Sequence, residues 1–235
     1  VTAPEPSVVV GARARARAEV HAAILDAAAE RLAAEGAEAL SLRAVARDVG
    51  MVSSAVYRYV ASRDELLTAL IIRAYDSLGD DVEAAIESSA GQPGAVRWVE
   101  AAMSVRRWAR AHPNDYALIY GTPIRGYAAP EHTVVSGTRV VRALVGIVRD
   151  AGDLDPVAPA PIDPVLAESF AALRAEVDLD ADDATTLAVI TAWTQLFGLL
   201  TFELFGQTRN FVADDEALFR AAATAMAASI GLPSD

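Results

Sequence analysis

The chain has 235 residues, slightly more than half of them apolar, and a formal net charge of −12. That length buries a sizeable core as one large domain or two small ones, and no apolar run approaches the ~20 residues needed to span a bilayer. The absence of cysteine excludes a disulfide framework and thiolate chemistry, and an evenly spread acidic charge would exclude nucleic acid as a partner.

The start, Val1-Thr2-Ala3-Pro4-Glu5-Pro6, lacks a charged region followed by an apolar one. No signal peptide is expected, residues 1–12 read as a disordered lead, and the default location is cytoplasmic. Arg13 to Glu35 is alanine-rich and places Val20, Ile24, Ala27, Ala28 and Leu32 on one helical face, with Gly36 as its stop. Ser41 caps a short helix over Leu42 to Val49, which Gly50 breaks. A third helix fits Ser53 to Tyr59. Ser62 and Glu65, three apart ahead of an apolar run, form a capping box that opens a long helix with a bend expected near Gly79.

Gln92-Pro93-Gly94 is a linker. Ala95 to His112 carries Trp98, Ala102, Val105 and Ala109 at bundle spacing. Pro113 suits the first turn of a helix ending at Gly121. Thr122 to His132 is a loop and Val134 to Ala151 a helix. Asp153 to Pro164, with four prolines, is a loop expected to be mobile. Asp163 to Glu176, Ala184 to Phe205 and Asp214 to Ile230 complete the helices. Strand alternation is nearly absent, so the fold class is all-α with nine or ten helices.

The charge is not evenly spread. Residues 1–75 hold nine arginines and nine acids, so they are neutral, and the remainder holds eleven arginines against twenty-three acids. A neutral segment with arginines on one face can approach phosphate. Within it, Leu42 to Tyr59 has the spacing of a helix-turn-helix. Two short helices crossing at a sharp turn need a small residue where they touch, and Ala46 supplies it. The turn needs a residue tolerant of positive φ, and Gly50 supplies that. Val45, Val49, Met51 and Val56 are placed to lock the angle. Any tight corner between packed helices shares this pattern. The polar and aromatic content of Ser53, Ser54, Tyr57, Arg58 and Tyr59 exceeds what so short a helix needs for stability, and such groups meet phosphates and base edges.

The run Ser41-Leu42-Arg43-Ala44-Val45-Ala46-Arg47-Asp48-Val49-Gly50, then Val56-Tyr57-Arg58-Tyr59-Val60 and Ser62-Arg63-Asp64-Glu65-Leu66-Leu67, closely resembles the tetracycline-repressor (TetR) family. The resemblance implies a DNA-binding domain at 13–62 and a ligand-binding and dimerisation domain at 63–235. It implies that Arg43 contacts a base or phosphate, and that Ser53, Ser54 and Ala55 face the major groove. Tyr57 would reach phosphate or a base, Tyr59 and Arg63 phosphate, and Ser41 would cap its helix and touch phosphate. Val52 stands where the family often has the capping serine, so Ser53 is either the cap or a base reader. Arg13, Arg15 and Arg17, placed before the first helix, form either an arm toward DNA or a solvated, frayed helix end. His112-Pro113, Tyr116, Tyr120 to Ile124, Gly126-Tyr127, Trp193 and Gly198 are similar to the ligand domain named for a tryptophan–histidine–glycine signature, with Phe197 at the histidine position.

A TetR-like body implies a pocket for a small, largely apolar effector, with Trp98, Trp108, Tyr116, Tyr120, Phe170, Trp193 and Phe197 as candidate lining. Plain core is the alternative for each. His112 reads as a helix-end residue and His132 as an exposed loop residue. The last two long helices, at 184–205 and 214–230, would pair with their copies in a two-fold dimer on a palindromic DNA operator, aided by the small residues Ala188, Ala192, Gly198, Ala221, Ala225 and Ala228. No cofactor or metal is implied: three scattered histidines make no zinc set, and no dinucleotide, phosphate-loop or nucleophile-elbow motif suggests an enzyme. The expected function is transcriptional repression released by an effector. The alternative is a ligand-binding protein whose DNA face has degenerated.

Overall fold

The computed structural model describes residues 8–36, 39–152, 154–157 and 162–235. Among them are eleven α-helices and no strand: α1 (Val8–Glu35), α2 (Leu42–Asp48), α3 (Ser53–Val56), α4 (Arg63–Ser88), α5 (Gly94–Ala111), α6 (Pro113–Tyr120), α7 (Thr133–Gly137), α8 (Arg139–Ala151), α9 (Pro164–Val177), α10 (Asp183–Leu204) and α11 (Asp215–Ile230). Two helices stand where one was expected over 134–151, because the chain breaks at Thr138. α1 starts at Val8, inside the expected disordered lead. Residues 1–7 of that lead, and Asp153 and 158–161 of the expected proline-rich loop, lie outside the described residues.

Side-chain caps set several helix starts. Ser41 Oγ accepts from the Ala44 amide at 3.3 Å, Asp163 from Val165 at 2.9 Å, Asp182 from Thr185 at 2.7 Å, and Asp214 from Glu216 and Ala217 at 3.0 Å. Each satisfies amides that the helix itself leaves open, and the aspartates also complement the positive helix end. The bonds from Thr185 hold the Asp182 carboxyl below its ordinary pKa.

The chain divides into two compact units. The first takes the described residues up to Ala74 together with Asn114–Val134. The second takes Tyr75–Pro113 and Val135–Asp235. In this packing α4 contributes to both units, and a distant segment joins the first. The reason is apolar packing. Leu118, Ile124 and Tyr127 lie against the core built by Ile24, Val45, Val56, Leu66 and Leu70. The Thr68 hydroxyl donates to the Asp64 carbonyl at 2.8 Å, which leaves it to accept from the Tyr127 hydroxyl at 2.9 Å.

In the second unit α5 packs mainly on α11 and α8, and α11 on α10. Trp98, Trp108, Leu144, Ile147, Leu196 and Phe219 fill its core. α4 is continuous through Gly79. Glycine fits there because a Cβ would sit 2.8 Å from Arg139 Nε. Arg139 lies over that glycine and donates to Glu83 at 3.0 and 2.6 Å, to Asp80 at 2.6 Å and to the Asp76 carbonyl at 3.0 Å. Glu83 and Asp80 raise its pKa, holding it charged.

Two features stand apart from ordinary core. Among the described residues α10 alone is long and apolar enough, by length and composition, to cross a membrane: 22 residues, mean hydropathy 1.5 over its most apolar window, with 28% of that window buried. Counting apolar runs missed it because threonines and Gln195 interrupt the run without adding charge between Ala184 and Phe202. The second feature is a buried charge cluster. Arg106, on α5, forks onto Glu203 of α10 at 2.9 and 2.8 Å and donates to Glu216 of α11 at 3.0 Å, while Arg110 adds a bond to Glu203 at 3.0 Å. Arg106 and Glu203 are both buried. Removing one member of such a pair strands the other charge. Arg106→Met is therefore expected to lower the unfolding free energy by about 3 kcal/mol in urea titration. Adding Glu203→Leu to Arg106→Met should recover a large part of the loss.

Candidate nucleic-acid interface

α2 and α3 meet at a corner with little freedom. Ala46 and Val45 of α2 and Val56 of α3 are buried, and Val49 and Met51 pack against the same core. The Met51 amide donates to the Ala46 carbonyl at 2.8 Å, folding the chain back under α2. Gly50 turns it with φ +68, and nothing lies within 4 Å of where a Cβ would be. Glycine is required there for conformation alone.

Val52 occupies the N-cap of α3 with extended backbone and no side-chain bond, so Ser53 is the first helical residue and not the cap. The helix itself is shorter than expected. Ser53–Val56 is followed by a tightened turn in which Arg58 N donates to Ala55 O at 3.2 Å and Tyr59 N to Val56 O at 2.9 Å. Next comes the capping box of α4. The Glu65 amide donates to Ser62 Oγ at 3.0 Å, and Glu65 Oε2 accepts from the Ala61 amide at 2.6 Å, one residue earlier than the usual reciprocal bond.

All nine residues expected at the DNA face fall in the first unit. Ser41, Arg43, Ser54, Tyr57 and Arg58 are exposed; Ser53, Ala55, Tyr59 and Arg63 are half-buried. Tyr57 keeps 49% of its surface and Val52 keeps 70%, large apolar areas for so short a segment. Arg63 stands 3.6 Å from Asp64.

The three N-terminal arginines are not ahead of the first helix. Arg13, Arg15 and Arg17 lie within α1. Arg15 bonds back to the Gly11 carbonyl at 3.2 Å. Arg17 reaches the recognition segment: its Nη2 donates to the Arg58 carbonyl at 3.0 Å, and its guanidinium lies 5.0 Å from the Tyr59 ring centroid. Sequence spacing gave no sign of this contact across 41 residues of chain. Arg31 of α1 forks onto Asp48 of α2 and pairs with Glu35 at 3.0 Å. The bond from Arg31 draws the Asp48 carboxyl below its ordinary pKa.

The second unit contains a cavity of about 320 Å³ between α8, α9 and α10. Val141, Val145, Leu173, Val177, Val189 and Ile190 form most of its wall; Thr138, Arg174, Glu176, Thr186 and Trp193 add polar atoms. Of the seven aromatic residues expected to line a pocket, only Trp193 borders it. Trp98, Trp108, Phe170 and Phe197 are buried in the second unit, and Tyr116 and Tyr120 belong to the first. His112 ends α5, its ring Nδ1 3.0 Å from the Trp108 carbonyl, and His132 is exposed.

Residues 24–70 match the bacterial regulatory proteins of the tetR family, and residues 98–226 match the tetracyclin repressor-like C-terminal domain. The chain belongs to the TetR family. It is 40% identical over 205 residues to the HTH-type transcriptional regulator Rv1816 of Mycobacterium tuberculosis, covering 84% of this chain and 86% of that protein, and equally to Mb1846 of Mycobacterium bovis. It superposes on the crystal structure of regulatory protein SCO4313 with a TM-score of 0.71 and 32% identity, over 90% of this chain and 97% of that one. A Rhodococcus sp. RHA1 protein shares the fold at a TM-score of 0.68 and 22% identity, over 90% and 95% of the two chains. This TetR-family chain is thus a DNA-binding transcriptional regulator. The C-terminal match does not carry the tryptophan–histidine–glycine subtype.

The corner generates a direct test. Gly50→Ala meets no clash but must hold a left-handed backbone, so a stability loss of about 1 kcal/mol is expected in urea titration. Gly50→Asn should lose less.

Proposed function

We propose that this TetR-family regulator is a repressor that binds a palindromic operator as a homodimer and is released by a small, largely apolar effector. In this reading Arg43, Tyr57, Tyr59 and Arg63 grip phosphate, and Ser53, Ser54 and Ala55 read the major groove. Arg17 holds the recognition turn in place through the Arg58 carbonyl and the Tyr59 ring. The observation that carries the reading is the exposed cluster of Arg43, Ser54, Tyr57 and Arg58 on a helix-turn-helix, in a segment whose net charge is neutral although the chain is acidic.

The dimer reading rests on α10 and α11. Only 28% of the most apolar window of α10 is buried in a single chain, much of the rest is half-buried, and Phe202 and Phe205 are more than half exposed. Gly198 and the exposed Ala221, Ala225 and Ala228 permit close helix approach. Ala192 serves a different role, since it is buried in the chain's own core. A two-fold pairing of these helices would cover the apolar area.

The effector reading rests on the cavity and its link to α4. Thr138 lines the cavity, and the next residue, Arg139, grips α4 through Asp80, Glu83 and the Asp76 carbonyl. α4 continues without interruption from Arg63 to Ser88. An effector with different affinity for two arrangements of these helices shifts the spacing of the paired recognition helices, and DNA affinity falls.

The test is fluorescence anisotropy of labelled DNA from upstream of the protein's own gene, across a salt series. Binding should weaken steeply with salt, by roughly one logarithmic unit of slope per phosphate contact. Arg63→Ala should weaken binding and reduce the slope by about one. Tyr57→Phe should weaken binding as well. Unchanged affinity in Arg63→Ala would remove the phosphate role of that residue.

A further inference from the structure

Val52 is the most exposed large apolar side chain of the first unit among the described residues, keeping 70% of its surface. It is the N-cap of α3 and makes no side-chain bond there. A serine, threonine, asparagine or aspartate at an N-cap accepts a helix amide and steadies the helix, which valine cannot do. Nor does Val52 carry the packing of the corner: Met51 lies against the core, and Val56 is fully buried. Its place is nonetheless fixed. The Met51 amide just before it donates to the Ala46 carbonyl at 2.8 Å, and its own carbonyl accepts from the Ala55 amide at 2.9 Å. A branched Cβ leaves the side chain few rotamers, so its two methyls have little freedom to lose on meeting a partner.

The second helix of a helix-turn-helix lies in the major groove, with its first residues at the base edges. Val52 stands immediately ahead of Ser53 and Ser54 on that path. What a valine can recognise there is narrow. Its side chain neither donates nor accepts a hydrogen bond, so it forms none with phosphate. Guanine, adenine and cytosine present hydrogen-bonding groups to the groove, and methyls laid over those leave them without water or a partner. Thymine alone of the four bases adds an apolar group, its C5 methyl. The serine hydroxyls bond to more than one base and so discriminate less.

We infer that Val52 is a specificity-determining residue: its methyls pack on the C5 methyl of one thymine in each half of the operator. The inference rests on the reading of the helix-turn-helix as the DNA face, and adds to it a base contact distinct from those of Ser53, Ser54 and Ala55. Apolar contact with a thymine methyl is direct readout, so the residue sets which sequence is bound more than how tightly any DNA is held. Withdrawing one methyl group from such a packed contact costs about fourfold in affinity.

The probe is a set of DNA duplexes selected by the full-length wild-type protein from a random library. In the tightest of them each thymidine is replaced in turn by deoxyuridine, which keeps the base pair and lacks only the C5 methyl. Affinity is read by fluorescence anisotropy. At one thymine per half-site the replacement should weaken wild type about fourfold and Val52→Ala less than about 1.5-fold. Val52→Ser restores a capping side chain, so its urea midpoint should be no lower than that of wild type while its preference for that thymine is lost. Equal sensitivity of wild type and Val52→Ala at every thymine would overturn the proposal. So would retention of the preference in Val52→Ser, or a wild type indifferent to every replacement. Arg63→Ala separates this inference from the reading beneath it, since loss of a phosphate contact should weaken the thymine and uracil duplexes by the same factor. If it does so while Val52→Ala keeps the wild-type thymine pattern, the DNA face stands and the Val52 contact is refuted. If neither variant alters any affinity, or selection yields no sequence, the DNA face is refuted and the Val52 contact with it.

Discussion

The backbone turn at Gly50 is the constraint on which the DNA-facing segment depends. Its left-handed φ carries the chain from α2 into α3 within two residues, and the bond from the Met51 amide to the Ala46 carbonyl holds the corner shut. Ala46 is buried at that point, where a larger side chain would force the helices apart. With the corner fixed, Val56 anchors α3 in the core, and Ser54, Tyr57 and Arg58 are left outside it. α3 is too short to be stable alone, so its orientation comes wholly from these contacts. Arg17 and Arg31 add two ties from α1, one to the recognition turn and one to α2. The helix-turn-helix is thus a frame tied at several points that leaves a few side chains exposed.

Charge explains how an acidic chain carries such a frame. All the excess acid lies beyond residue 75. In the second unit part of that acid has internal work: Glu203 and Glu216 hold Arg106, and Asp80 and Glu83 hold Arg139. An acidic body repels phosphate, which leaves the segment up to residue 75, neutral overall, as the electrostatically permitted face. The same repulsion disfavours nonspecific contact between the body and DNA.

Much of this was legible in the sequence because it is local. The caps at Ser41 and Ser62, the stop at Gly36 and the small–glycine–apolar spacing of the corner depend on neighbours within a turn or two. What was not legible depends on distant contacts. Nothing in the spacing announces that Arg17 stacks on Tyr59, or that Leu118, Ile124 and Tyr127 close the core of the first unit. The pocket is the clearest case. Aromatic residues at bundle spacing gave seven candidates, yet Trp98, Trp108 and Tyr116 are fully buried and only Trp193 borders the cavity. Periodicity identifies the buried face of a helix but not whether that face meets another side chain or a void. The apolar length of α10 was hidden for another reason: threonine breaks a hydrophobic run on paper without adding charge to the helix.

The central claim is that the segment from Ser41 to Arg63 is the surface that meets DNA. Hydrogen–deuterium exchange, with and without DNA from upstream of the protein's own gene, tests it most directly. Amides from Arg43 to Arg63 should gain protection on adding DNA, while α9 and the exposed faces of α10 and α11 stay within error. Protection confined to α10 and α11, or none in the helix-turn-helix while DNA is bound, would contradict it.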